Sequence, residues 1–511
     1  MDKTRLRILS EIDAWIKDPD AQPVCWITGM AGTGKTAIAK TVCERASADV
    51  DIMLGGSFFC SRTGTATQRD IRCVVPTLAQ LLSRQSIEFS RALVDEITRD
   101  RDLQHKNVTV QVKRLLYTPL VALKNSQKSV LLIIDALDEC GGETSSLNEE
   151  NHRAVSELLE ALVTASPSSV KLPVKFLVTS RPETHIRDTS VSDEDLSQIL
   201  RLHAVNKEEV DEDIHHYITE TLNARLSRKP ILRARFTDDD IVSLVRLCDG
   251  LFIVAATVLK HTFGAGIDAA DLMFKNLLNA SSDGLDANAA APLDRIYDNI
   301  LKDATSTNKP GTIKLSALLK LLASILCARI TLSIAAVAAL LSQDSSTVRA
   351  SLSRLHAIVD VPAGDHEPNL RTVHASFGDY LFSRAPKHIR IARSLGHCIM
   401  VHACLDIMDE QLHFNISQSA TSYKPNLSTN SESITLALEY ACLHWAHHLI
   451  SCETSDKSAP KTSDLSLEIS RKFRPNFLAW LEVLSILHKV GLASGLLLIA
   501  SAAVSRLPYL P

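Results

Sequence analysis

The chain has 511 residues, 45% of them hydrophobic and 22% charged, enough for roughly two to four domains with sizeable cores. Its 55 Lys and Arg against 59 Asp and Glu leave a net charge of −4, so neither a nucleic-acid nor a membrane surface is expected. The 11 cysteines include no CxxC pair, which points to free thiols in a reducing compartment.

The first twenty residues carry charges throughout, and Leu9, Ile12, Trp15 and Ile16 recur at helical spacing rather than as a signal-peptide core. A cytoplasmic location is the expectation. Residues 24–28, 55–60, 129–137, 173–180 and 198–205 are short, mostly apolar runs. Such runs read as strands buried on both faces of a parallel sheet. Helical periodicity between them, as over 69–84 and 151–165, gives an α/β doubly wound domain over 1–205.

Beyond residue 205 the strand signals stop. A small helical domain is expected over 206–280, with Thr237 or Asp238 capping one helix, then a linker over 281–293. Residues 294–390 read as a compact helical unit with a small hairpin inside "AIVDVPAGDHEPNLRTVHASF", and 391–511 as a further helical domain with polar loops at 415–433 and 453–465. The uncharged run 490–504 is shorter than the roughly 20 residues a bilayer crossing needs. A buried helix is expected there, and a membrane partner is not.

"GMAGTGKT", residues 29–36, fits the GxxxxGK[ST] phosphate loop and lies between a strand and a helix. Gly29, Gly32 and Gly34 let the backbone N–H groups of Met30, Ala31 and Thr33 curl around phosphate oxygens. Lys35 reaches the β and γ phosphates, and the Thr36 hydroxyl can ligate Mg²⁺. In "VLLIIDALDEC" an apolar strand ends in Asp135, placed to hold Mg²⁺ through water, and Asp138 or Glu139 can orient the attacking water. Arg181, after the strand in "FLVTSRP", can set its guanidinium at the γ-phosphate.

Together, "WITGMAGTGKTAIAKTVCERA", "GGSFFCSR", "LLIIDALDEC" and "FLVTSRPE" resemble the NACHT NTPase domain of fungal STAND proteins. These are intracellular receptors of the NOD-like type, also described as having nephrocystin-3-like N-terminal domains. The likeness continues through "CDGLFIVAATVL", "LSRLHAIVDVP", "VHASFGDYLF", "YACLHWAHHL" and "FLAWLEVLSIL". It implies a P-loop sheet followed by helical, winged-helix and further helical domains. It also implies a closed resting monomer holding ADP or GDP, which opens with ATP or GTP and Mg²⁺ into a homo-oligomer that engages effector and ligand-sensing partners. By the same resemblance, Asp135, Asp138 and Glu139 are the Walker B acids and Arg181 is the sensor arginine. His374 becomes the winged-helix histidine that touches the β-phosphate. Leu251 and Phe252 fall at the family's base-contacting motif, but the usual proline is absent. No Trp-Asp dipeptide occurs, so a signalling core without WD40 repeats or an effector domain is expected.

Other features read as packing. His444, His447 and His448 lack metal-site spacing. Arg349, Arg354 and His356 are too few for a nucleic-acid face and are expected to pack within the domain.

Overall fold

A computed structural model describes residues 4–62, 64–140, 145–165, 171–189, 192–194, 196–264, 270–282, 291–305, 314–368, 370–416, 418, 434–452 and 462–505. The chain divides into two compact units, Met1–Ile296 and Tyr297–Pro511.

The first unit is built on a parallel sheet of β1 (Val24–Thr28), β2 (Ile52–Phe59), β3 (Ser129–Asp135), β4 (Val174–Ser180) and β5 (Ser197–Arg201), in the order β2-β3-β4-β1-β5. Alternation explains why its strands read as unbroken apolar runs. Cys25, Ile27, Leu131 and Ile133 face a layer formed by α1 (Leu6–Lys17) and α2 (Lys35–Ala48). Val24, Trp26, Leu132 and Ile134 face the opposite layer, with α3 (Val74–Gln85), α4 (Ile87–Arg99) and α5 (Ser145–Thr164). β1, β3 and β4 thus bury both faces against helices, as central strands of a parallel sheet require.

The order has a consequence for chemistry. β4 lies between β1 and β3, pairing Thr28 with Ser180 and Ile134 with Val178. The segments leaving the carboxyl ends of three neighbouring strands therefore share one edge of the sheet, where open α/β sheets bind ligands. β3 is shorter than the apolar run suggests: Ala136 adopts a left-handed φ of 53° and Leu137–Glu139 turn as a 3-10 helix. β5 likewise stops at Arg201, because Leu202–Ala204 coil into a 3-10 turn.

After a short helix, α6 (Thr184–Arg187), the unit is helical: α7 (Lys207–Arg225), α8 (Asp238–Cys248), α9 (Phe252–Gly264) and α10 (Ala270–Ser282). Thr237 caps α8 through a reciprocal pair, its hydroxyl accepting from Asp240 N while Asp240 accepts from Thr237 N. The expected linker at 281–293 begins in the last turn of α10, and residues 283–290 lie outside the described residues.

In the second unit, α11 (Leu315–Cys327), α12 (Ile334–Leu340) and α13 (Ser345–Leu352) precede an antiparallel pair, β6 (Val359–Asp360) and β7 (Arg371–Thr372). Then follow α14 (Ala375–Asp379), α15 (Arg393–Gln411), α16 (Leu436–Ser451), α17 (Phe477–Ile486) and α18 (Ala493–Val504). The expected loops at 415–433 and 453–465 lie mostly outside the described residues. Arg349 packs as expected, donating to Asp365 and to the Pro362 and Ala363 carbonyls. His448 is fully buried between His397 Nδ1 at 2.9 Å and Tyr440 Oη at 2.7 Å, a packed polar network.

Two expectations need correction. Cys398 on α15 and Cys452 just beyond α16 form a disulfide, while the other nine cysteines are free. Helix packing brings together two thiols 54 residues apart, which spacing cannot reveal. The run 490–504 buries only one face, through Ala493, Leu496, Ala500 and Ala503, and leaves Leu498 71% exposed. Among the described residues, no helix is long and apolar enough to cross a membrane.

Candidate nucleotide site

The loop after β1 needs conformations that side chains disfavour. Gly32 and Gly34 have φ of 82° and 95°, and a Cβ on Gly32 would meet Ile253 Cγ2 at 2.1 Å. Ile253 sits there because its N–H donates to the Gly32 carbonyl at 3.3 Å. Gly34 is the N-cap of α2, so the helix starts at Lys35 with its free N–H groups and dipole turned to the loop.

Lys35 is buried. Its Nζ donates to the Gly29 carbonyl at 2.6 Å and the Met30 carbonyl at 2.9 Å, so the ammonium lies inside the curl of the loop. Burial lowers its pKa, opposed by the nearby Asp138 charge. Thr33 is tied into the same curl, donating to the Met30 carbonyl at 2.9 Å, while Met30 itself is 60% exposed. Ala31 lies between them on the loop.

Asp135, at the end of β3, is 1% exposed. It accepts from Thr179 Oγ1 at 2.6 Å and is hydrogen-bonded to Thr36. Burial raises its pKa despite these donors. The Thr36–Asp135 contact joins the phosphate loop to the β3 end, and Thr179 holds the pair from β4, also receiving Ala136 N at 2.9 Å.

Asp138 and Arg181 meet across the gap between the β3 and β4 ends. Arg181 N donates to Asp138 Oδ1 at 2.9 Å and Arg181 Nε lies 3.1 Å from Asp138 Oδ2. Glu139 accepts from the backbone N–H of Arg62 at 3.2 Å. Burial first, and then the Asp138 charge, raises the Glu139 carboxyl to about 7. Lys35, Thr36, Asp135, Asp138, Glu139 and Arg181 thus form one cluster.

His374 is in the second unit, apart from that cluster in the chain's division. It caps α14: its Nδ1 accepts from Ser376 N at 3.1 Å and contacts Ser376 Oγ at 2.6 Å, and Ser376 Oγ meets Tyr297 Oη at 2.9 Å.

Several residues escaped sequence reasoning. Arg62 follows β2 and contacts both acids, its Nη2 donating to the Asp138 carbonyl at 3.1 Å. Arg5 donates through Nη2 to the Thr33 carbonyl at 3.2 Å and stacks 5.1 Å from the centre of the Phe252 ring. Thr4, Arg5, Gly34, Thr41 and Phe252 line one pocket beside the start of α2. Arg5 falls in none of the motifs named above; Arg62 closes "GGSFFCSR", but the sequence assigns it no role there.

The parallel sheet, its helical layers and this cluster define the P-loop NTPase fold. Residues 5–181 match the family model described as nephrocystin 3, N-terminal. That stretch contains the phosphate loop, the β3 acids and Arg181. Among solved structures, the chain is similar to a signal transduction ATPase with numerous domains (STAND) that carries a tetratricopeptide repeat sensor, from Pyrococcus horikoshii. Identity is 12% and TM-score 0.42, over 99% of this chain and 58% of that one. It is also similar to Drosophila ORC bound to DNA, at 11% identity and TM-score 0.28 over 71% and 83% of the two chains. For Cdc6p from Pyrobaculum aerophilum the values are 12% and 0.29, over 72% and 91%. The chain therefore spans 58% of the length of the Pyrococcus protein. No curated protein matches it.

Proposed function

We propose that the chain is a nucleotide-dependent signal-transduction switch of the STAND, NOD-like kind, binding ATP or GTP with Mg²⁺ and hydrolysing it slowly. One observation carries this: the phosphate-loop lysine, Thr36, Asp135, Asp138, Glu139 and Arg181 converge at the carboxyl ends of β1, β3 and β4.

The residues fit the nucleotide and the ion. Arg5 Nε, Arg5 Nη1 and Thr4 Oγ1 are buried without a hydrogen-bond partner beside the start of α2, and buried polar groups of that kind call for a ligand. Asp135 is a buried carboxylate next to the Thr36 hydroxyl, an oxygen pair that suits a hard cation. Mg²⁺, when bound, supplies neutralisation of phosphate charge. Thr36 and Asp135 would hold it.

The chain's own groups supply the rest. The loop N–H groups and Lys35 bind and orient the phosphates, with the ammonium exchanging its two loop carbonyls for phosphate oxygens. Glu139, poised near neutral, orients water and takes its proton; Asp138 is the other acid able to do so. Arg181 stabilises charge at the γ-phosphate. Held as it is by Asp138, it also couples the bond being broken to the β3 turn.

We further read 206–280 as a small helical domain, 294–390 as a winged-helix domain and 391–511 as a C-terminal helical domain. In this reading His374 contacts the β-phosphate of a bound diphosphate in a closed resting form, and nucleotide exchange opens the protein to a homo-oligomer. The setting is fungal innate immunity or self/non-self recognition. We read the location as cytoplasmic, nine of the eleven cysteines being free beside the Cys398–Cys452 disulfide.

Denaturing the purified chain and identifying the released nucleotide by chromatography tests the central statement. ADP or GDP is expected. Absence of nucleotide, together with no binding in a titration of ATP or GTP, would sink it. The rivals are a work-coupled NTPase, which turnover well above about 10⁻² s⁻¹ would favour, and a scaffold with a structural nucleotide, which a nucleotide that never exchanges would favour.

A further inference from the structure

Beside the nucleotide cluster lies a second group of ligand-type side chains. His152 on α5, Glu183 in the turn after β4 and His185 on α6 each offer one donor atom, and the three atoms lie within 4.8 Å of one another. The two imidazoles stack with centroids 4.0 Å apart and planes 9° from parallel, so their in-plane lone pairs run parallel and one ring must turn before both meet a single ion. His185 Nδ1 is 3.7 Å from Glu183 Oε2.

We infer that His152, Glu183 and His185 form a binding site for a zinc-class divalent metal ion, separate from the Thr36–Asp135 oxygen pair. Two imidazole nitrogens and one carboxylate suit a borderline-soft ion, whereas Mg²⁺ prefers oxygen throughout. Three protein ligands leave one tetrahedral position for water. Donor atoms around a tetrahedral zinc sit about 3.4 Å apart, so the group is slightly open. His152 is exposed and can close the difference by rotating.

The scaffold is prepared for this. Ser156, one turn beyond His152 on α5, donates its hydroxyl to the His185 carbonyl at 2.7 Å and fixes α6 against α5. Glu183 also lies 3.6 Å from the Arg62 guanidinium. A metal here would draw on Glu183, which lies two residues from Arg181, and clamp the β4 exit onto α5. The site stands independently of the nucleotide reading.

The test uses the full chain, stripped with a chelator and held in excess Mg²⁺ so that hard-cation sites are filled. Titration calorimetry with Zn²⁺ alone is expected to show one ion per chain and a higher melting temperature on binding. His152→Ala and His185→Ala should each weaken that binding by about tenfold or more, and Lys35→Ala should not change it. Co²⁺ in place of zinc should give visible d–d absorption in the wild type that His152→Ala removes. Because His152 is exposed, its variant is expected to fold even if His185→Ala does not. No stoichiometric zinc in the wild type would overturn the assignment, and so would binding undiminished in His152→Ala.

Discussion

Arg181 holds Asp138 with both its backbone and its side chain, N to Oδ1 at 2.9 Å and Nε to Oδ2 at 3.1 Å. The carboxylate side chain is 2% exposed and the guanidinium 19%, so water screens the pair weakly. Removing one partner leaves a buried charge partly unsatisfied, the costly half of any such pair. Arg181→Ala should therefore lose roughly 1.5–3 kcal/mol of stability in a urea melt. The double variant Asp138→Asn/Arg181→Ala should recover part of the loss, because no charge is then stranded. A loss in the double variant equal to the sum of the two single-variant losses would mean that the pair carries no coupling.

Lys35 makes a sharper separation between fold and function. Its ammonium donates to two carbonyls of its own loop and its stem lies at the start of α2. Lys35→Ala should abolish tight nucleotide binding while leaving far-UV circular dichroism as in the wild type. Wild-type affinity in a calorimetric titration would remove the site assignment. Arg5→Ala should weaken binding by a smaller factor, because its free Nε and Nη1 face the pocket beside α2 rather than the curl of the loop.

Glu139 brings a pH dependence. Its carboxyl titrates near 7 in the folded chain, against an ordinary value of 4.5. A base must be deprotonated to accept a proton from water, so hydrolysis should rise with pH and level off above about 7. Glu139→Gln should cut the rate by about tenfold or more and abolish that limb of the profile, with triphosphate still bound. Stability runs the other way. The folded chain keeps this proton up to about 7 while the unfolded chain releases it near 4.5. The contribution is therefore complete below 4.5 and is lost as pH rises through 7. An unchanged rate in Glu139→Gln would transfer the role to Asp138.

The sheet was legible because β1, β3 and β4 are buried on both faces, which forces apolar residues at nearly every position. β5, at the sheet edge with a partly exposed pattern, left a weaker signal, and its end was placed four residues late. The phosphate loop and the β3 acids could be read because their chemistry is local in sequence. Arg5 and Arg62 could not, since each reaches its partner only through the fold: Arg5 to Thr33 across 28 residues and Arg62 to Asp138 across 76. The His152–Glu183–His185 group and the Cys398–Cys452 bond escaped for the same reason.

His374 is where a structural role and a proposed functional one meet on the same ring. Its Nδ1 accepts from Ser376 N and so caps α14, which fixes the ring and leaves Nε2 as the protonated nitrogen of the neutral form. Losing a side-chain cap costs about 1 kcal/mol, so His374→Ala should be slightly less stable whatever else the ring does. The proposed switch adds a separate effect. A hydrogen bond from this imidazole to a charged phosphate contributes roughly 1.5–3 kcal/mol, and if it exists in the closed form alone it biases the equilibrium between forms. Its loss should weaken diphosphate binding by about ten- to a hundredfold and leave triphosphate binding nearly unchanged. The population should shift towards an extended or oligomeric form. Diphosphate titration and light scattering on the variant separate the two roles. A small drop in melting temperature with diphosphate affinity unaltered and a compact monomer would make His374 a helix cap and nothing more.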